Sequence, residues 1–183
     1  MASGNRELKG ALILFRPWRR GDEEAIVAHA NHREIWRNLM DRFPHPYTRT
    51  DADEWVAKAD AHEGPTEQFA IVLDGDPVGG IGLIRLRDIR HKTAEIGYWV
   101  GRTFWGRGIA TEAVGLFADY VFRAFDVERL EATIFAWNPA SACVLEKAGF
   151  ECEAHLARAL VKDGQVADGL LYRRLRPGSR ETP

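Results

Sequence analysis

Cysteine is nearly absent from this chain: only Cys143 and Cys152 occur among 183 residues. Two cysteines build no disulfide framework, so a hydrophobic core must carry the fold. An excess of one charge is also lacking. Lys and Arg number 25 against 27 Asp and Glu, a formal net charge of −2, which gives no global attraction to nucleic acid. No apolar run approaches the roughly 20 residues of a membrane helix. Residues 1–10 lack the apolar stretch of a signal peptide. Low-complexity segments and internal repeats are missing as well. These absences lead to the expectation of a soluble, cytoplasmic protein with no membrane partner and no direct nucleic-acid contact.

What is present is ordinary for a globular domain: 45% hydrophobic and 28% charged residues. A chain of this length suits one domain and buries roughly 70% of its unfolded surface. The expected domain is 11–176, with loose ends at 1–10 and 177–183.

Alternation predicts a strand over 12–18, with Leu12, Leu14 and Arg16 on one face and Ile13 and Phe15 on the other. Asp22, followed by Glu23 and Glu24, predicts a helix to about Ala30. A short helix follows over 33–39. Thr50 or Asp51 caps a helix to about His62, with Glu54 closing a capping box on Asp51. Strands are expected over 68–73 and 78–87, joined by Asp74-Gly75-Asp76-Pro77, and over 92–100 and 129–135. Ile109, Ala113, Phe117 and Val121 mark the buried stripe of a long helix from Gly106 to about Phe125. A helix from Pro139 to Ala148 stops at Gly149. The strands 151–160 and 165–174 close a hairpin around Asp163-Gly164. That order describes an α/β chain with a mixed sheet flanked by helices, not a run of βαβ repeats.

Chemistry concentrates at the start of the long helix, in Trp99-Val100-Gly101-Arg102-Thr103-Phe104-Trp105-Gly106-Arg107-Gly108-Ile109-Ala110-Thr111-Glu112-Ala113. Glycines let a backbone approach a ligand closely. The first N–H groups of a helix lack internal partners and sit at its positive end, so the segment suits phosphate. A P-loop is excluded, because no Lys follows the glycines. A dinucleotide fingerprint fits weakly: Thr111 stands where Gly or Ala is needed, and Glu128 would be the ribose partner. A turn that only packs helix on sheet is the remaining alternative.

A second block, Asn138-Pro139-Ala140-Ser141-Ala142-Cys143-Val144-Leu145-Glu146-Lys147-Ala148-Gly149-Phe150, follows the 129–135 strand. With the glycine loop and Glu95-Ile96-Gly97-Tyr98-Trp99, it resembles the GNAT superfamily of acetyl-CoA-dependent N-acetyltransferases, and within it the RimJ/RimL-like branch. The likeness runs from about Leu12 to Leu175. Gly108 and Ala110 match the superfamily loop pattern, Gln/Arg-x-x-Gly-x-Gly/Ala, while Trp105 replaces its leading residue. Many members carry a Tyr in the second block as general acid. Leu145 stands there in this chain.

The resemblance implies the acyl-CoA N-acyltransferase fold, a mostly antiparallel sheet splayed at its centre with acetyl-CoA in the gap. Backbone groups of Tyr98, Trp99 and Val100 would hold the pantetheine arm and polarise the thioester carbonyl. Amides of Trp105, Gly106, Arg107, Gly108, Ile109, Ala110 and Thr111 would cradle the pyrophosphate, with Arg107 adding charge. Asn138 would touch the cofactor or cap its helix. The acceptor is an amine: a peptide or protein N-terminus, or a small molecule such as a polyamine, aminoglycoside or amino-acid derivative. No metal is required.

An alkyl ammonium of pKa ~10 must lose a proton before attack. Glu95 is the candidate base, directly or through water; its alternative is an ion pair with Arg85, Arg87 or Lys92. Ser141 is the candidate donor to the leaving thiolate, or a residue bonded within its own helix. Cys143 as an acetyl carrier is set aside, since no His adjoins it. His45, Tyr47, Trp36 and Trp55 are candidates to line the acceptor site. Asp41, Asp51 and Asp53 are candidates to attract a cation. The cluster Arg85, Arg87, Arg90, His91 and Lys92 is a candidate ribosomal or RNA contact or a solvated hairpin end. Without Tyr at Leu145, a non-catalytic acyl-CoA sensor stays open as a further reading. Exposed edge strands allow a homodimer.

Overall fold

Tight turns set the strand pairing. In a computed structural model, residues 7–60 and 64–178 are described. Asp74 and Gly75 have φ of 51° and 96°, and Asp163 and Gly164 have φ of 53° and 73°. Two consecutive positive φ values make the hairpin turn whose twist matches the flanking strands. The first turn joins β3 (Gln68–Leu73) to β4 (Asp76–Arg85), and the second joins β7 (Glu151–Lys162) to β8 (Gln165–Leu175). With β1 (Leu8–Lys9), β2 (Leu14–Pro17), β5 (Thr93–Val100) and β6 (Arg129–Phe135), they form an 8-stranded sheet ordered β1-β2-β3-β4-β5-β6-β8-β7. Every neighbouring pair is antiparallel except β5–β6, which is parallel.

The helices are α1 (Glu23–Ala30), α2 (Arg33–Trp36), α3 (Arg49–Asp60), α4 (Ile109–Ala124) and α5 (Pro139–Lys147). The stripe expected on α4 is buried: Ile109, Ala113, Phe117 and Val121 are each 2% exposed or less. α5 starts at Pro139 and is stopped by Gly149 at φ 83°.

Alternation along the strands splits the core into two layers. Phe69 and Ile71 of β3 join the cluster under α4 and α5, with Phe15, Leu83, Leu130 and Leu145. Ala70 and Val72 join the cluster under α1 and α3, with Trp18, Ile26, Tyr47 and Val56. Ala94, Ile96 and Val100 of β5 face the first layer, whereas Trp99 packs on the second. Glu95 and Gly97 share the face of Trp99 by the same period.

Several expectations need correction. The first strand spans only Leu14–Pro17: Leu12 is 53% exposed, and its N–H is held by both carboxylate oxygens of Glu112. Residues 8 and 9 are a paired edge strand rather than part of a loose end; residues 1–6 and 179–183 lie outside the described residues. The α3 cap is Thr48, not Thr50 or Asp51. Asp51 N–H donates to Thr48 Oγ1, and its carboxylate accepts from Thr48 N–H at 2.7 Å, so Asp51 is the closing member of the box. The expected end of α3 at His62 lies outside the described residues. Asp22 does not cap α1 with its side chain, because its carboxylate is bound at 2.6 and 2.8 Å by the buried Arg16 guanidinium.

Candidate active site

The parallel pair is short. Only Thr93, Ala94 and Glu95 of β5 are in register with Arg129, Leu130 and Glu131 of β6. Beyond Glu95 the strands part, while β5 stays paired to β4 as far as Val100. Strand backbone groups alternate in direction. Gly101 N–H donates to Val78 of β4, so the groups of Ile96, Tyr98 and Val100 point into the gap and those of Trp99 point to β4. The Val100 carbonyl accepts from the Trp105 indole at 2.7 Å. A cleft of about 1670 Å³ follows this gap through the sheet.

The glycine loop forms one mouth. Gly106 and Gly108 have φ of 74° and 79°, a region that costs other residues about 1–2 kcal/mol. A Cβ on Gly106 would meet nothing within 4 Å. Among the described residues no acceptor takes the N–H groups of Gly106, Arg107, Gly108, Ile109, Ala110 or Thr111; the first N–H spent is that of Glu112, on Gly108. A run of free donors at the positive end of a 16-residue helix is chemistry suited to a pyrophosphate. Arg107 sits 5.8 Å over the Phe104 ring and forms no ion pair among the described residues. The opposite wall is α5. Asn138 Oδ1 accepts from Ser141 N–H at 3.2 Å, which makes it the helix cap, and Asn138 also lines the cleft.

Every catalytic and cofactor-binding residue expected from the sequence lines this one cleft: Glu95, Tyr98 to Val100, Trp105 to Thr111, Asn138 and Ser141. Glu95 is half-buried and has no ion pair among the described residues. Two of its expected partners are engaged elsewhere: Arg85 binds Glu67 at 2.9 Å and Lys92 binds Asp126. Gly97 pairs with Gly82 of β4, and a Cβ on Gly97 would meet open space. A bare strip of sheet therefore separates Glu95 from Trp99. Trp99 stacks on Trp18 at 6.5 Å and meets Phe43 edge-on at 6.0 Å.

The candidate acceptor residues divide. Tyr47 and Trp55 line the cleft; Trp36 and His45 do not, and stack on each other 5.4 Å apart beside the Lys162 ammonium. Asp41, Asp51 and Asp53 are also outside it, held by Lys162, Thr48 and Arg49. Burial pushes the Tyr47 phenol up to about 12, with the Asp51 charge adding to the rise. Burial likewise lowers the His29 imidazole, which packs beneath the loop on Phe104 at 5.1 Å.

Sequence reasoning missed three features. Phe43 and Gln68 line the cleft, and Tyr98 Oη lies 2.7 Å from Ser141 Oγ. No local signal marks a contact between residues 43 positions apart. Leu145 is fully buried in the core, so its position offers nothing to the cleft. Cys143 lines the cleft as a free thiol. No cluster of metal-ligating side chains occurs among the described residues, and none of their helices is long and apolar enough to cross a membrane.

The family model described as acetyltransferase (GNAT) domain matches residues 13–151. Probable N-acetyltransferase YjcK of Bacillus subtilis is 33% identical over 161 residues, 85% of this chain and 88% of that protein. The spermidine N(1)-acetyltransferase of Escherichia coli K12 is 23% identical over 158 residues, 86% of this chain and 83% of that one. Among solved structures, Mycobacterium smegmatis RimJ in complex with CoA-disulfide superposes with a TM-score of 0.77 at 29% identity, covering 89% of this chain and 81% of that one.

Proposed function

The chain belongs to the acetyltransferase (GNAT) family, and on that premise we propose that it acetylates the α-amine of a peptide or protein N-terminus, in the manner of the RimJ/RimL-like branch. It is an N-acetyltransferase. Acetyl-CoA supplies an acyl group activated as a thioester. The donors at residues 106–111 fit its pyrophosphate, and the inward backbone groups of Tyr98 fit its pantetheine amides. Asn138 and the Trp99 indole complete the walls.

Direct attack in a ternary complex is the proposed route. Glu95 takes the proton of the attacking amine, directly or through one water. An α-ammonium has a pKa of about 8, so about a tenth of the amine is already neutral near pH 7, and the carboxylate takes the proton released as the C–N bond forms. Glu95 shares a sheet face with Trp99, Gly97 is bare between them, and the gap adjoins; this is the observation that carries the reading. Ser141 donates to the sulfur from the other wall.

The charge of the cleft favours a peptide over a polyamine. Arg37, Arg42, Lys58, Arg87, Arg107 and Lys147 line it without an ion pair among the described residues, whereas Glu95 and Asp88 are the carboxylates that do so. A polyamine carries several positive charges and would meet repulsion at that rim.

Thermal unfolding with acetyl-CoA, CoA or NAD, followed by a screen of short peptides and spermidine, tests the proposal. Ligand at about 100 times its dissociation constant adds roughly 2.7 kcal/mol, a shift of about 5–10 °C at this length. The expected result is a shift with both CoA species and none with NAD, then turnover of peptides with a free N-terminus. Preference for spermidine would replace the acceptor, and binding without turnover of any amine would favour a sensor.

A further inference from the structure

Two hydroxyl groups meet where the gap opens. Tyr98 follows Glu95, the last β5 residue in register with β6, and Ser141 lies in the first turn of α5 on the opposite wall. Tyr98 Oη is 2.7 Å from Ser141 Oγ and 3.4 Å from the Ser141 carbonyl oxygen. The Ser141 N–H is spent on Asn138, which fixes the backbone that carries the hydroxyl. Both side chains line the cleft. Burial pushes the Tyr98 phenol up to about 12, against the opposing pull of its bond to Ser141, so the phenol keeps its proton. Ser141 Oγ has no other partner among the described residues. When Tyr98 donates to it, the seryl proton is free for an acceptor in the cleft.

We propose that Tyr98 is a positioning residue: it donates to Ser141 Oγ and so directs the Ser141 hydroxyl at the CoA sulfur, favouring the thiolate. This rests on the acetyl-transfer reading above. In that step the amine lone pair forms the C–N bond, and the C–S bond breaks with its electron pair on sulfur. Glu95 receives the amine proton. Ser141 and Tyr98 keep their protons and stabilise sulfur by hydrogen bonding until water protonates it. A thiol of pKa roughly 8.5 needs no stronger acid. A hydrogen bond to an anion is about twice as strong as a neutral one, and a second hydroxyl polarises the first. The pair thus serves in place of a tyrosine acid at Leu145.

The test is the titration of the CoA thiol bound to the protein. It is followed by thiolate ultraviolet absorbance, with the desulfo-CoA complex as blank. Wild type is compared with Tyr98→Phe, Ser141→Ala, the double variant and Tyr172→Phe, a buried tyrosine bonded to Glu146. In wild type and Tyr172→Phe the bound thiol is expected to titrate about one unit below its free value. Ser141→Ala abolishes that shift, Tyr98→Phe removes about half of it, and the double variant matches Ser141→Ala. In turnover, kcat falls about three- to tenfold in Tyr98→Phe with the amine KM unchanged. Identical thiol titration in all five CoA-bound proteins overturns the inference and leaves acetyl transfer standing. Additive effects in the double variant overturn the coupling of the two hydroxyls. If Tyr98→Phe fails to fold, an unshifted thiol in Ser141→Ala relative to wild type still decides against it. Wild type that binds no CoA overturns both this inference and the reading beneath it.

Discussion

Glu95 illustrates how little a residue's type says about its work. The chain has 27 carboxylates, and most of those described are held by Arg or Lys, as Glu131 is by Arg90 and Arg129 at 2.5 and 2.7 Å. Glu95 is directly opposite Glu131 across the parallel pair, yet it carries no such partner among the described residues. A carboxylate left unpaired beside a cleft is available to a proton. Glu95→Gln keeps size and polarity and removes basicity. CoA affinity should stay within about twofold, and kcat/KM for the amine should fall about 10²- to 10⁴-fold. The loss should be greatest at low pH, where more of the amine is protonated. Isothermal titration and a pH–rate profile check both halves, and an unchanged rate with several acceptors would remove Glu95 from the mechanism.

At the scale of the element, α4 does two jobs with different ends. Its apolar stripe anchors it to the sheet, while its first turn stays open because the chain arrives through Gly106 and Gly108. Glu112 tethers that turn to Leu12 rather than closing it on itself. Gly108 at φ 79° is where an added Cβ is strained, although space is open and the nearest atom is Leu12 Cδ1 at 3.9 Å. Gly108→Ala is therefore expected to cost about 1 kcal/mol of stability through backbone strain. It should weaken CoA roughly tenfold by turning the free N–H groups aside. Urea unfolding with and without CoA separates the two effects.

Across the whole molecule, the sheet is two halves joined by three residue pairs and held apart by the cleft. Side chains strap the halves at the rim. Lys162, 3% exposed at the β7–β8 turn, places its ammonium 4.0 Å over Trp36 and donates to Leu39 carbonyl and Asp41 at 2.9 and 2.8 Å. Arg33–Asp163 and Trp137–Asn38 add exposed contacts beside it. Lys162→Met keeps the stem and removes the ammonium. Because Asp41 is open to water, the expected loss is about 1–3 kcal/mol, from one carbonyl bond and the cation–π contact. Chemical denaturation measures it, and a loss below a few tenths of a kcal/mol would show that the rim is held elsewhere.

The sequence by itself determined what is local. Hairpin turns at Asp74-Gly75 and Asp163-Gly164, the α4 stripe, the Asn138-Pro139 cap and the glycine loop are each specified by neighbours a few residues apart, through φ preferences and helical or strand periodicity. That locality is why the mixed sheet and the glycine loop were legible. Element ends were not: Leu12 left its strand because Glu112, one hundred residues away, took its N–H. The acceptor candidates divided for the same reason: Tyr47 and Trp55 line the cleft, while Trp36 and His45 stack on each other beside Lys162. Only the tertiary structure decided that β5 and β6 part after Glu95, that Glu95 goes unpaired, and that Tyr98 meets Ser141. Each depends on which distant strand or helix fills the space alongside, and on the free energy of burying one long-range contact rather than another.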